Sequence, residues 1–169
     1  MIRFLLAIFV CIITLNAAEQ DIDSIFLDSR DIEIKDKPLM LIFGKNDCYY
    51  CDVLSASLVS NATIQGYINL NFSAYYINID DKKKHTLPYL NLNRTSSLNL
   101  AKVYEVTALP LIVFISNDDK KEIMRVVGFV GESRIINLLE FVNNDVWKNF
   151  PTPKERVDGF LEYEREIKR

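Results

Sequence analysis

Five consecutive apolar residues, Leu39-Met40-Leu41-Ile42-Phe43, run into Gly44 without a polar position from which a solvent-facing side of a strand could be made. A strand of that composition is buried on both faces, so the rest of the chain must cover it from above and below. With 169 residues, 49% apolar and 25% charged, there is enough chain for one domain with such a core. The expectation is an α/β domain in which this run is a central strand.

The segments that follow fit that plan. After the loop Lys45-Asn46-Asp47, the stretch from Cys48 to Ser60 carries Cys51, Leu54 and Leu58 at helical spacing, with Asn46 or Asp47 able to cap the first amides. Ser73 to Asp80, rich in Tyr and Ile, predicts a strand parallel to the first through a helical crossover. Leu111 to Ile115, the turn Asn117-Asp118-Asp119-Lys120 and a strand from Glu122 to about Gly128 predict a β-hairpin. From Ser133 onward, Ile135, Leu138, Leu139 and Val142 predict an amphipathic covering helix. Residues 19–37 are polar and acidic with scattered Ile and Phe, consistent with a short helix and an edge strand.

Two segments lie outside this frame. Residues 81–97 combine Lys82-Lys83-Lys84-His85 with Leu87-Pro88-Tyr89-Leu90-Asn91-Leu92 and read as an inserted loop with one extended patch, ahead of a helix near Leu98 to Tyr104. Residues 151–169 form a C-terminal extension in which Thr152-Pro153-Lys154-Glu155 has capping-box spacing with proline at the first helical position. Val157, Phe160 and Leu161 are its expected buried stripe, packing with Trp147, and Gly159 is expected to cost about 1 kcal/mol relative to alanine.

Residues 1–18 have the pattern of a cleaved secretory leader: Arg3, the apolar stretch Phe4 to Leu15, then Asn16-Ala17-Ala18. The apolar run is short of the roughly 20 residues that span a bilayer. Loss of the leader would remove Cys11 and leave Cys48 and Cys51, spaced C-x-x-C, as the cysteines of the mature domain, residues 19–150, and its extension. An exported location permits disulfides, so compartment and motif agree.

Two cysteines three apart at a helix start face the same side and can close a small disulfide ring. The unpaired amides and dipole of the helix start favour a thiolate at Cys48, which makes it the nucleophile. Cys51, one turn further in and better shielded, is the resolving residue. Lys45 could lower and Asp47 raise the Cys48 pKa, and the sequence leaves the net sign open. Zinc would need about four ligands, and beside this pair there is only His85, so neither metal nor cofactor is expected. A purely structural disulfide across so short a loop would constrain the unfolded chain little. A Cys-His hydrolase would have to recruit His85, far along the chain and without an oxyanion motif.

With those residues in place, the sequence resembles the thioredoxin superfamily over about residues 30–145. The strand Leu39 to Phe43, Cys48-Tyr49-Tyr50-Cys51, Asn78-Ile79-Asp80 and Thr107-Ala108-Leu109-Pro110 fall in the family's order. The resemblance implies a thioredoxin fold: a central mixed sheet flanked by helices, here with an insertion after the second parallel strand and an added C-terminal helix. It implies that Pro110 is cis and lies against the cysteine pair, and that the Leu109 backbone pairs with an extended substrate segment. Leu109, Pro110, Tyr49 and Tyr50 are thus the expected substrate-positioning residues. Gly128 and Gly131 match the glycine-rich approach to the last helix of the family's domain. The sequence departs from cytosolic thioredoxins in having Asp47 before the first cysteine, Tyr49-Tyr50 between the pair, and Ile42 where the family has a buried acid. These differences and the leader make it similar to exported bacterial disulfide-handling proteins.

The expected function is a periplasmic thiol-disulfide oxidoreductase, a monomer that acts as a reductant of disulfide-containing or dithiol protein substrates and is itself reset by a membrane electron carrier. The alternatives are a disulfide oxidase or isomerase, and a redox-inactive thioredoxin-fold binding or assembly module. The formal charge of −3 and pI near 5.2 supply no general electrostatic basis for a nucleic-acid partner.

Overall fold

A computed structural model describes residues 25–168. The leader expected over residues 1–18 and the start of the 19–37 segment lie outside the described residues. The central strand β1 (Leu39–Gly44) is followed by α1 (Tyr49–Ser60), α2 (Ala62–Asn71) and β2 (Ser73–Asn78). Then come the short strands β3 (Lys84–Leu87) and β4 (Leu92–Ser96), α3 (Ser97–Val103), β5 (Leu111–Ile115), β6 (Glu122–Val127), α4 (Glu132–Asn143) and α5 (Pro153–Ile167). The main sheet has the order β2-β1-β5-β6, with β1 parallel to β2 and antiparallel to β5, and β6 antiparallel to β5. This is the mixed sheet flanked by helices of the thioredoxin fold.

β1 is buried at every position, and its pleat divides the core. Met40 and Ile42 join Leu54, Leu58, Ile112, Phe114, Leu138 and Phe141 in the cluster on the α1 and α4 side. Leu39, Leu41 and Phe43 join Leu87, Leu100, Leu111 and Val113 under α3 and the β3–β4 pair. A single polar residue in this run would face one of two apolar layers, which explains why none occurs.

Several expectations are corrected. Residues 25–37 contain no helix, and the expected edge strand shrinks to one parallel bridge between Asp31 and Thr86. The crossover contains two helices: Asn61 ends α1 and caps α2, its side-chain oxygen accepting from the amides of Thr63 and Ile64. The insertion forms an antiparallel pair of strands, turned at Asn91 with φ 55°. His85 is not in a polar loop: it points inward, 1% exposed, with Nδ1 donating to the Ser29 carbonyl at 2.6 Å and Nε2 2.8 Å from Ser97 Oγ.

The capping box at Thr152 and Glu155 is present, but Val157 and Leu161 face solvent. The inner face of α5 is instead Gly159, Phe160 and Glu164, with Glu164 paired to Arg134 at 2.8 Å. Trp147 is buried as expected and lies beneath the Arg156 guanidinium, 4.8 Å from its ring centroid.

Candidate functional site: a helix-start disulfide beside a cis-proline loop

The C-terminal ends of β1 and β2 build the platform. Pairing of Gly44 with Asn78 places the loop that leaves β1 next to the end of β2. Asn78 Nδ2 donates to Asn46 Oδ1 at 2.7 Å, and the Asn46 amide donates to Asp80 Oδ2 at 3.0 Å. The segment noted in the sequence as Asn78-Ile79-Asp80 therefore tethers the approach to the cysteines, while Asp47 makes the last turn with φ 52°. Aspartate is among the few residues that tolerate that region.

Cys48 then caps α1 itself, in place of the expected Asn46 or Asp47. Its backbone is extended, and its Sγ accepts from the Cys51 amide at 3.3 Å. Cys48 and Cys51 are joined as a disulfide with Cα atoms 5.2 Å apart. Burial separates the two sulfur-bearing residues: Cys48 is half-buried, whereas Cys51 is 1% exposed. Between them, Tyr49 and Tyr50 project from the helix start, 73% and 59% exposed, with ring centroids 5.3 Å apart and edge to face. Two adjacent, exposed aromatic rings next to a disulfide provide a surface on which a polypeptide can rest.

The second part of the site comes from the start of β5. The Leu109-Pro110 peptide bond is cis. Leu111 pairs with Phe43, so Pro110 stands at the end of the sheet from which the cysteine loop departs. The Pro110 carbonyl accepts from the Gly128 amide at 2.8 Å; Pro110 is buried and Leu109 half-buried. His85, by contrast, belongs to the opposite core layer with Ser29 and Ser97. Among the described residues, no group of three or more His, Cys, Asp and Glu side chains could hold a metal ion. No helix there is long and apolar enough to cross a membrane.

Sequence reasoning missed Tyr76, which packs on the α1 side of the sheet and leans over Gly44 at the base of the cysteine loop. Burial pushes the Tyr76 hydroxyl pKa up. A tyrosine in a Tyr-rich strand carries no sequence signal of this kind, because the contact depends on the register between β1 and β2.

Residues 26–143 match the family described as a thioredoxin-like domain. A thioredoxin-fold protein from Helicobacter pylori is 27% identical, with a TM-score of 0.76, covering 86% of this chain and 92% of that one. A thioredoxin from Thermus thermophilus is 19% identical, with a TM-score of 0.49, covering 63% of this chain and 73% of that one. A search of curated protein sequences found no match. Since the family match spans well over half of its residues, the chain belongs to the thioredoxin superfamily, and its paired cysteines equip it for thiol-disulfide exchange.

Proposed function

We propose that this chain is an exported protein thiol-disulfide oxidoreductase that acts as a reductant. The observation that carries the reading is the asymmetry of the pair: Cys48 is accessible and sits at the helix cap, whereas Cys51 is buried behind it. In the reduced protein, the amide that now points to Cys48 Sγ and the helix dipole favour a thiolate there. Cys48 attacks a substrate disulfide, one substrate sulfur leaves as a thiol, and a mixed disulfide remains. Cys51 attacks Cys48 Sγ, the second substrate sulfur leaves with the electron pair, and the chain is left with the Cys48–Cys51 bond. Substrate is reduced, the pair is oxidised, and a membrane electron carrier restores the dithiol.

Tyr49 and Tyr50 give the substrate an apolar footing, and the Leu109 backbone beside Pro110 aligns an extended segment by main-chain hydrogen bonds. Specificity from side chains is then modest, in keeping with a monomer that serves several disulfide-containing partners. The apolar Leu109 before the proline and the leader-like residues 1–18 support the reducing and exported parts of the reading, respectively.

The test is to express Cys51→Ala in the native host and to identify proteins held on Cys48 as mixed disulfides. Trapped exported proteins support the reading, and an empty trap at full expression refutes it. A reduction potential near or below about −270 mV supports the reducing direction, and one near about −120 mV reverses it. If Cys48→Ser/Cys51→Ser protein retained its cellular role, the fold would be serving as a binding module.

A further inference from the structure

Lys45, Asn46 and Asp47 connect the end of β1 to Cys48, and the middle one, Asn46, is held from the neighbouring strand. Gly44 is the last rung of β1: it stands opposite Asn78, and its carbonyl accepts from the Ile79 amide at 2.9 Å. Beyond it the chain leaves the sheet, and side-chain bonds take over from the ladder. Asn78 Nδ2 donates to Asn46 Oδ1 at 2.7 Å, the Asn46 amide donates to Asp80 Oδ2 at 3.0 Å, and the Asp80 amide donates to Asn78 Oδ1 at 3.0 Å. These bonds close a ring through Asn46, Asp80 and Asn78.

Each corner of the ring has a chemical requirement. Asn78 uses both ends of its side-chain amide, the nitrogen toward Asn46 and the oxygen toward Asp80, which a carboxylate without a donor could not do. Asp80 meets the backbone of the loop with an ionised oxygen, a stronger acceptor than a neutral one. Asn46 and Asp80 are exposed and Asn78 is half-buried, so water competes for every bond and the ring adds little to stability. What it fixes is the path of the chain. Asp47 follows with φ 52°, a conformation that costs an L-residue, and Cys48 comes next, extended, its sulfur receiving the Cys51 amide at 3.3 Å. A loop free at Asn46 would relax at Asp47 and carry Cys48 away from that amide.

We propose that Asn78 and Asp80 are positioning residues for Cys48, their ring with Asn46 holding that cysteine at the first amides of α1. The inference rests on the dithiol cycle proposed above and concerns its first step. There the Cys48 thiolate bonds to one substrate sulfur, the substrate disulfide breaks, and its other sulfur leaves with the electron pair and takes a proton from solvent. The amides and dipole of the helix start favour the thiolate only while it stays within their reach. Position and charge act in opposite directions here. The segments that meet at Cys48 carry Lys45, Asp47, Asp52 and Asp81, and Asp80 adds a further negative charge. As a charge alone, Asp80 would oppose the thiolate, and its removal would lower the Cys48 pKa. As a corner of the ring it supports the thiolate, and its removal raises that pKa.

The experiment mixes the reduced full chain with a symmetrical aromatic disulfide that releases a coloured thiolate, and follows the pH profile of the first release, which reports attack by Cys48. Asn78→Ala, Asp80→Ala and Asn46→Ala each open the ring at a different corner, and a urea midpoint identifies the variants that fold. In each folded variant the profile should move up by about half a pH unit to one pH unit, with the first release slowed by about threefold to tenfold below the Cys48 pKa. Asp80→Asn keeps an oxygen for the Asn46 amide and should return the profile to the wild-type position or below it. Folded variants with the wild-type profile would overturn the positioning role, as would a profile that moves down in Asp80→Ala alone; the redox cycle stands in either case. Loss of the fold in all three would make the ring a structural clasp and overturn the role as well. A wild-type chain that releases no coloured thiolate would overturn the cycle and the positioning role with it.

Discussion

Replacing Gly159 by alanine is expected to destabilise this protein, although the same change in an open helix stabilises it. Gly159 lies in α5, and a Cβ there would come within 2.6 Å of Phe150 Cε1 and nearer still to Cζ and Cε2, inside the 3.4 Å where ordinary contact begins. The ring cannot simply retreat, because Phe150 stacks on Phe141, which is itself fully buried, at 6.2 Å. Helix propensity favours alanine by about 1 kcal/mol, whereas forcing a methyl into packed rings costs about 1–3 kcal/mol, for a net loss of roughly 1 kcal/mol. In a chain of this size that lowers the melting temperature by roughly 2–4 °C. Gly66 in α2 supplies the control, since nothing lies within 4 Å of its built Cβ, and Gly66→Ala should gain up to about 1 kcal/mol. Calorimetry of both variants decides. If Gly159→Ala were as stabilising as Gly66→Ala, the close packing of α5 on Phe150 would be refuted.

Arg156 donates from Nη1 to the carbonyls of Glu122 and Ile123, and from Nε to that of Phe150. Arg156→Met should therefore cost about 1.5–3 kcal/mol by chemical denaturation, and an unchanged midpoint would show that water replaces the guanidinium freely. His85→Phe leaves the Ser29 carbonyl and Ser97 hydroxyl without their imidazole partner; a loss of about 1–3 kcal/mol is expected with both steps of disulfide exchange intact, and a selective loss of exchange would place His85 in the chemistry. Burial pushes the Tyr104 pKa up to about 12 and raises that of its hydroxyl neighbour Tyr89 as well. Between about pH 10 and 12 the unfolded chain therefore releases tyrosine protons that the folded protein retains, so stability should fall with rising pH across that window. A urea midpoint that stays level there, or the same decline in Tyr104→Phe protein, would contradict this.

The parts of the fold legible in sequence were those written in a single local pattern. β1 announces its two-sided burial because all five of its apolar residues are contiguous, and α4 announces its inner face through the spacing of Ile135, Leu138, Leu139 and Val142. The cysteine pair and Pro110 stand out because few other residue types could serve at those positions. Residues 81–97 failed that way of reading. β3 and β4 are short, β4 has no fully buried residue, and one of the two buried side chains of β3, beside Leu87, is a histidine, whose polarity suggested a loop. The α5 stripe was misplaced for a related reason: apolar Val157 and Leu161 were counted as inner, whereas the inner face is set by a glycine that admits a ring and a glutamate that meets Arg134.

The two layers of the candidate site differ in the same manner. Cys48, Cys51 and the cis-proline each carry their own signature, but the residues that hold them act across a strand register. Asn46 matters through Asn78 and Asp80, and Gly44 matters because it clears the way for Tyr76. Neither relation exists until β1 and β2 align Gly44 with Asn78 and Ile42 with Tyr76. A one-residue slip of that register would turn Tyr76 to the α3 side of the sheet, away from Ile42 and Gly44. Any substitution at Gly44 should consequently act as a packing variant at the base of the cysteine loop, since a side chain there must displace Tyr76 before it disturbs either cysteine.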